Sequence, residues 1–249
     1  MTNGIKEALD KGVADNRLRY AGKSLVNGGE EGFWVPNYLI EQYPEMTTIE
    51  GVIKHAELFE HPEDDEKFAF YSCPAGWTCQ ITSEHLFNAM GLDKHGFEMV
   101  DPGSGAALAG TIAKAYEREK PWFGYYWAPT AVLGKYPMVQ VTVGDGAYDI
   151  DVHTCNATVD CADPKYSSYP AAKVVTAASQ VFVDREPAIA ELMTNLSFTN
   201  AQMGEVLAWR LDNNASYDEA AVHFLTTNKD VWGAWLNDEA KGKLASLIK

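Results

Sequence analysis

The chain has 249 residues, 46% of them hydrophobic, and a formal net charge of -15. That charge argues against nucleic acid or an anionic membrane as a partner, because both need basic patches to release counterions or dock on headgroups. The length suits one large or two smaller domains, and no apolar run reaches membrane-spanning length.

Residues 4–14 read as the end of an amphipathic helix, and Arg19–Val26 as a strand running into the turn signal Asn27-Gly-Gly29. Gly32-Phe-Trp-Val-Pro36 is a short apolar strand ended by proline; strand alternation lets only one of Phe33 and Trp34 face a cleft, and Trp34 is the candidate. Thr48–Leu58 predicts a helix capped by Thr47 or Thr48, with Ile49, Val52, Ile53 and Ala56 on its buried face. The acidic run Pro62-Glu-Asp-Asp-Glu66 reads as a solvated turn; a calcium loop would need EF-hand spacing and a glycine that are missing. Lys67–Ser72 is a strand that delivers the segment Cys73-Pro-Ala-Gly-Trp77-Thr-Cys79, and a helix is expected from Ser83 to Met90.

The pattern then repeats. Phe97–Val100 is a strand, Ser104 caps a helix through Arg118 with Leu108, Ile112, Ala115 and Tyr116 inward, and Trp122–Trp127 and Tyr136–Val143 are further strands. On the strand before Trp127, Tyr125 shares its face while Tyr126 points to the other. Residues 147–170 read as irregular, Val174–Thr176 as a short strand, and helices follow at 187–196, 200–211 and 216–226, with Asn200, Ser216 and Asn228 as caps. Trp209, Trp232, Trp235 and Leu236 are packing residues of that helical layer. Alternating strands and helices define an α/β fold, in which ligands bind beyond the carboxyl ends of the strands, where Trp77 and Trp127 fall.

The 4 cysteines form two close pairs, Cys73/Cys79 and Cys155/Cys161. Even number and local pairing suggest two short disulfide loops and an oxidising compartment such as a periplasm; free structural thiols and a metal site are the alternatives. Zinc favours tighter ligand spacing, and His85 lies on an expected helix, so no metal is assigned. The polar first residues do not read as a signal peptide, which is at odds with an oxidised protein. Rigid indoles at Trp77 and Trp127 suit a quaternary ammonium held between their faces, an attraction of roughly 0.5–2 kcal/mol per ring.

Cys73-Pro-Ala-Gly-Trp77-Thr-Cys79, Lys120-Pro-Trp-Phe-Gly-Tyr-Tyr-Trp127-Ala-Pro129 and the closing Trp232-Gly-Ala-Trp-Leu236 together resemble the substrate-binding proteins of glycine betaine ABC transporters over nearly the whole chain. The resemblance implies a two-lobed type II periplasmic-binding-protein fold, with residues 25–170 as lobe two and residues 1–24 and 171–249 as what remains of lobe one. Members carry an exported leader and first strands that supply another tryptophan, so this chain resembles an N-terminally shortened member, which would also account for the missing signal peptide. The family's lobes close on a trimethylammonium compound; carried over, Trp77 and Trp127 are box walls, Trp34 and Tyr125 are further aromatic candidates, and the backbone amides of Thr78 and Cys79 receive the ligand's carboxylate. The implied ligand is glycine betaine or a related methylated solute such as choline, trimethylamine N-oxide, carnitine or dimethylsulfoniopropionate. The implied partner is a membrane permease, the location extracytoplasmic and the state monomeric, with no cofactor and no covalent chemistry.

Two alternatives come from other classes. A ligand-sensing module would use the same site and signal through a partner protein. A secreted hydrolase would need an acid pair, for which Asp149 and Asp151 are the candidates, but they do not sit by the tryptophan loops and no Gly-x-Ser-x-Gly motif occurs.

Overall fold

The computed structural model describes residues 3–247. Its first half runs α1 (Asn3–Ala14), β1 (Leu18–Lys23), β2 (Glu30–Pro36), α2 (Asn37–Gln42), α3 (Ile49–Lys54), β3 (Phe68–Tyr71), α4 (Thr78–Ala89), β4 (Phe97–Val100), α5 (Gly105–Glu117) and β5 (Gly124–Ala128). Then follow α6 (Ala131–Lys135), β6 (Met138–Gln140), α7 (Ile150–Asn156), β7 (Val175–Ser179), α8 (Gln180–Arg185), α9 (Pro187–Asn195), α10 (Asn200–Asp212), α11 (Tyr217–Thr227), α12 (Lys229–Gly233) and α13 (Asp238–Leu247). The chain divides into two compact units, one reaching up to Gly29 and resuming at Ala171, the other spanning Glu30–Pro170.

The first unit pairs β1 with β7 antiparallel and surrounds them with helices. Gly22 on β1 is there for close approach: a Cβ would lie 2.6 Å from the Met193 carbonyl oxygen and 2.7 Å from that of Thr194, so α9 rests directly on the strand backbone. Farther along, Phe198, Phe224 and Trp235 cluster with ring centroids 4.9–5.7 Å apart. Buried Trp232 donates its indole N–H to the Leu225 carbonyl, and Trp209 stacks on His223.

The second unit holds a five-stranded sheet in the order β4-β3-β5-β2-β6. Strand β3 runs parallel to β4 and β5, while β2 is antiparallel to β5 and β6. Phe70 anchors the core, with Phe33, Phe123 and Phe87 around it at 5.0, 5.2 and 5.5 Å. Trp122, 1% exposed, stacks on Tyr71 and donates its N–H to the Thr111 hydroxyl. Apolar rings lie on both faces of this sheet, so its central strands read as continuous hydrophobic runs.

Several local expectations are corrected. Helix α4 starts at Thr78, inside the cysteine loop, and Ser83 is a buried mid-helix residue. The segment 147–170 is not wholly irregular: Asp149 accepts the amides of Asp151 and Val152 at 2.9 and 3.0 Å and opens α7. Expected helix 48–58 ends at Lys54, because His55 leaves helical geometry and only a 3-10 turn follows. The cap of α10 is Thr199, in a reciprocal capping box with Gln202, rather than Asn200. Strand 136–143 shrinks to β6, which among the described residues pairs only with β2.

Candidate functional site

The cysteine loop begins where β3 ends. The Trp77 amide donates to the Pro74 carbonyl at 3.2 Å, with Gly76 at φ +83, so Pro74-Ala-Gly-Trp77 closes a turn that requires a left-handed residue in its third position. Asp101 receives the amides of Ala75 at 3.3 Å and Gly103 at 2.8 Å, which ties the turn to the loop after β4. A disulfide joins Cys73 to Cys79 across it, Cα atoms 5.9 Å apart. The loop is thereby fixed before any ligand arrives.

Trp77 is the N-cap residue of α4, and it offers no side-chain acceptor. The first turn of that helix also carries no acidic residue. The amides of Thr78 and Cys79 therefore open a helix whose positive end is uncapped, a place suited to an anionic or polar group.

Trp127, half-buried, is the penultimate residue of β5, and Trp77 is 41% exposed. Their ring centroids lie 5.4 Å apart with planes at 59°. Contact of a cation with each face alone takes roughly 4–6 Å, so no methylated ammonium fits between rings this close. The expected sandwich is replaced by two adjoining walls of a corner. Gly105, the first residue of α5, floors it: a Cβ there would stand 2.8 Å from Cη2 of Trp77 and 3.7 Å from Cη2 of Trp127.

The remaining aromatic candidates separate. Tyr125 shares the sheet face of Trp127, ring centroids 6.3 Å apart, but is buried, and its hydroxyl donates to Glu31 Oε2 at 2.9 Å. Burial, reinforced by the charge of Glu31, pushes that hydroxyl's pKa far up, so Tyr125 stays a donor. Trp34 does not join the corner. The β2–β5 register sets it opposite Gly124 on the face away from Trp127, and it is 7% exposed with its indole N–H on the Tyr126 carbonyl at 3.0 Å.

Of Glu30, Glu31 and Glu66, acids that by sequence could meet a ligand but read as solvated, Glu31 is half-buried on β2. It is the cross-strand partner of Trp127. Only the strand register reveals this, because 96 positions separate the two in the chain. Behind it, Tyr169 lies 5.8 Å from Tyr125 and shares a hydrogen bond with buried Ser83 at 3.0 Å. Burial raises the Tyr169 pKa and lowers that of nearby His153, the latter against the pull of Glu31.

Other sequence candidates have structural duties. His85 bonds the Asn156 carbonyl at 2.8 Å, linking α4 to α7, and a second disulfide joins Cys155 to Cys161. In the acidic run, Asp64 accepts the Glu66 amide at 2.9 Å and so closes a turn. Asp149 of the proposed acid pair is occupied as the cap of α7. Among the described residues, no helix is long and apolar enough to cross a membrane.

Comparison with known proteins gives the class. The family described as "Substrate binding domain of ABC-type glycine betaine transport system" matches residues 2–227, and the chain belongs to that family. It is a family of transport components and not of enzymes, which sets the hydrolase alternative aside. The "Glycine betaine/proline betaine-binding periplasmic protein" of Escherichia coli is 23% identical over 223 residues, covering 86% of this chain and 66% of the relative, so the chain spans just under two thirds of that protein's length. Among solved structures, the glycine/betaine/L-proline-binding protein of Borrelia burgdorferi is 16% identical with a TM-score of 0.54, covering 98% of this chain and 78% of that one. Lactococcal OpuAC, in its closed conformation complexed with glycine betaine, is 16% identical with a TM-score of 0.52, over 95% of this chain and 77% of that one. These likenesses show the fold, a type II periplasmic-binding-protein architecture.

Proposed function

We propose that the chain captures a methylated onium solute and hands it to the membrane permease of an ABC importer, working outside the cytoplasm as a monomer. The observation that carries this reading is the Trp77–Trp127 corner at the uncapped start of α4. A quaternary ammonium has no proton to donate and is recognised by shape and by the negative faces of aromatic rings, which two adjoining indoles present. The polar arm of the solute then meets the Thr78 and Cys79 amides, an anion site that introduces no buried counter-charge. The disulfide and the Asp101 bonds hold the loop in place, so little ordering is left to oppose binding.

Titration of the chain with glycine betaine, choline, trimethylamine N-oxide, carnitine and dimethylsulfoniopropionate, followed by calorimetry and tryptophan fluorescence, tests this. At least one of them is expected to bind, and Trp77→Ala and Trp127→Ala to weaken it. Absence of binding across the panel, or unchanged affinity in both variants, overturns the reading.

A further inference from the structure

We infer that Glu31 is the counter-charge of the onium head and the residue that turns the site toward solutes of net positive charge. This rests on the reading of the Trp77–Trp127 corner as the onium site. Glu31 and Trp127 are directly opposed on β2 and β5, and such pairs leave one sheet face with Cβ atoms roughly 4.5–5.5 Å apart. The two side chains therefore leave the sheet side by side on the face that carries the corner.

Its position is set by neighbours. Tyr125 donates to Oε2 at 2.9 Å, and Gln140 Nε2 donates to the Glu31 backbone carbonyl at 2.8 Å, fixing the strand on its other side. Tyr125 is in turn wedged against Tyr169, which Ser83 holds by a hydrogen bond. Among the described residues no lysine, arginine or histidine forms an ion pair with Glu31. His153, whose ring lies 6.2 Å from that of Tyr169, is pushed toward its neutral form by burial and does not supply the missing charge.

A half-buried carboxylate beside an aromatic wall, with no ion-pair partner of its own, is open to a cation. An onium nitrogen over Trp127 is that cation. For a ligand that is positive overall, such as choline or tetramethylammonium, the attraction is undiluted. A betaine carries its own carboxylate close to the head, and repulsion between the two acids cancels part of the gain. Glu31 thus adds a preference for a cationic onium with a neutral polar arm, set against the pull of the Thr78 and Cys79 amides on an anionic one.

The test titrates tetramethylammonium, choline and glycine betaine into the whole chain as wild type, Glu31→Gln and Trp127→Ala. Glu31→Gln is expected to weaken the two cations by about tenfold or more and the betaine by about threefold or less. Tyr125→Phe, which only loosens the carboxylate, should shift the same preference by a smaller factor and guards against a folding defect in the first variant. If Glu31→Gln leaves cation binding within about twofold, or weakens all three ligands alike, the counter-charge role is overturned while Trp127-dependent binding stands. If none of the three binds the wild type, the onium reading itself fails and the inference with it.

Discussion

The backbone of Gly105 lies against the ring edge of Trp77, so close that a Cβ on the glycine would sit 2.8 Å from the indole Cη2. The contact lets the start of α5 approach the corner, and it gives a probe that leaves the aromatic residues themselves intact. In Gly105→Ala the added methyl must move the ring, and Trp77, 41% exposed, has room to swing outward. Affinity for the bound solute should fall by about tenfold as the two walls part. Stability should change little, because the exposed ring can yield and Gly105 is the first residue of α5, where the interior helix propensity of alanine counts for little. Calorimetric titration and thermal unfolding of the same variant separate the two effects; a loss of stability with unchanged affinity would contradict the corner geometry.

Two tryptophans should give opposite signatures. Trp122 is 1% exposed, stacked on Tyr71 and hydrogen-bonded to Thr111, so Trp122→Ala should cost about 3–5 kcal/mol in urea unfolding. Trp77→Ala removes a ring that solvent already touches and should cost about 1 kcal/mol or less, while weakening solute binding by about threefold to thirtyfold. Equal stability losses in the two variants would mean that Trp77 is a core residue.

These pairs also show what the sequence makes legible. Phe97–Val100 is read correctly because Gly96 on one side and Asp101-Pro-Gly103 on the other punctuate it. Trp77 and Trp127 stand out as motifs, yet their contact depends on β3 lying beside β5, a pairing registered only at Tyr71 and Gly124. The start of α4 is hidden because a tryptophan occupies the cap position and Ser83, a good cap by type, lies in mid-helix. Trp34 misleads for a different reason. Alternation distinguishes two faces, but apolar layers cover both faces of this sheet, so being on a face does not mean being in a cleft. Glu31 is invisible without register, since nothing local distinguishes it from Glu30.

Removing the first disulfide should affect binding and stability together. Cys73→Ser with Cys79→Ser frees a short loop, and the chain-entropy estimate for a closure of this size is about 2 kcal/mol. The Asp101 bonds to Ala75 and Gly103 remain, so the loop is loosened rather than released. The double variant should therefore unfold at lower denaturant and still bind solute, with affinity reduced by about tenfold or less. Complete loss of binding in a variant that remains folded would show that the disulfide, and not the turn with its Asp101 anchors, sets the geometry of the α4 amides.

Glu45 supplies a pH dependence with a definite sign. Hydrogen bonds from His55 Nε2 at 2.9 Å and Lys54 Nζ at 2.7 Å hold its carboxyl at a pKa of about 2, below the ordinary 4.5. A depressed folded-state pKa means that the unfolded chain takes up the proton first as the solution is acidified. The contribution to stability is thus present above about 4.5 and is lost as pH falls toward about 2. Glu45→Gln should unfold at a lower temperature than wild type at pH 6, and the difference should shrink steadily as the solution is acidified below pH 4.5. Because the side chain is partly open to solvent, added salt should narrow the pH 6 difference as well. Thermal unfolding of both proteins across that acid range is the measurement, and a difference that stays constant through it would place the effect of the substitution in packing rather than in the charge on Glu45.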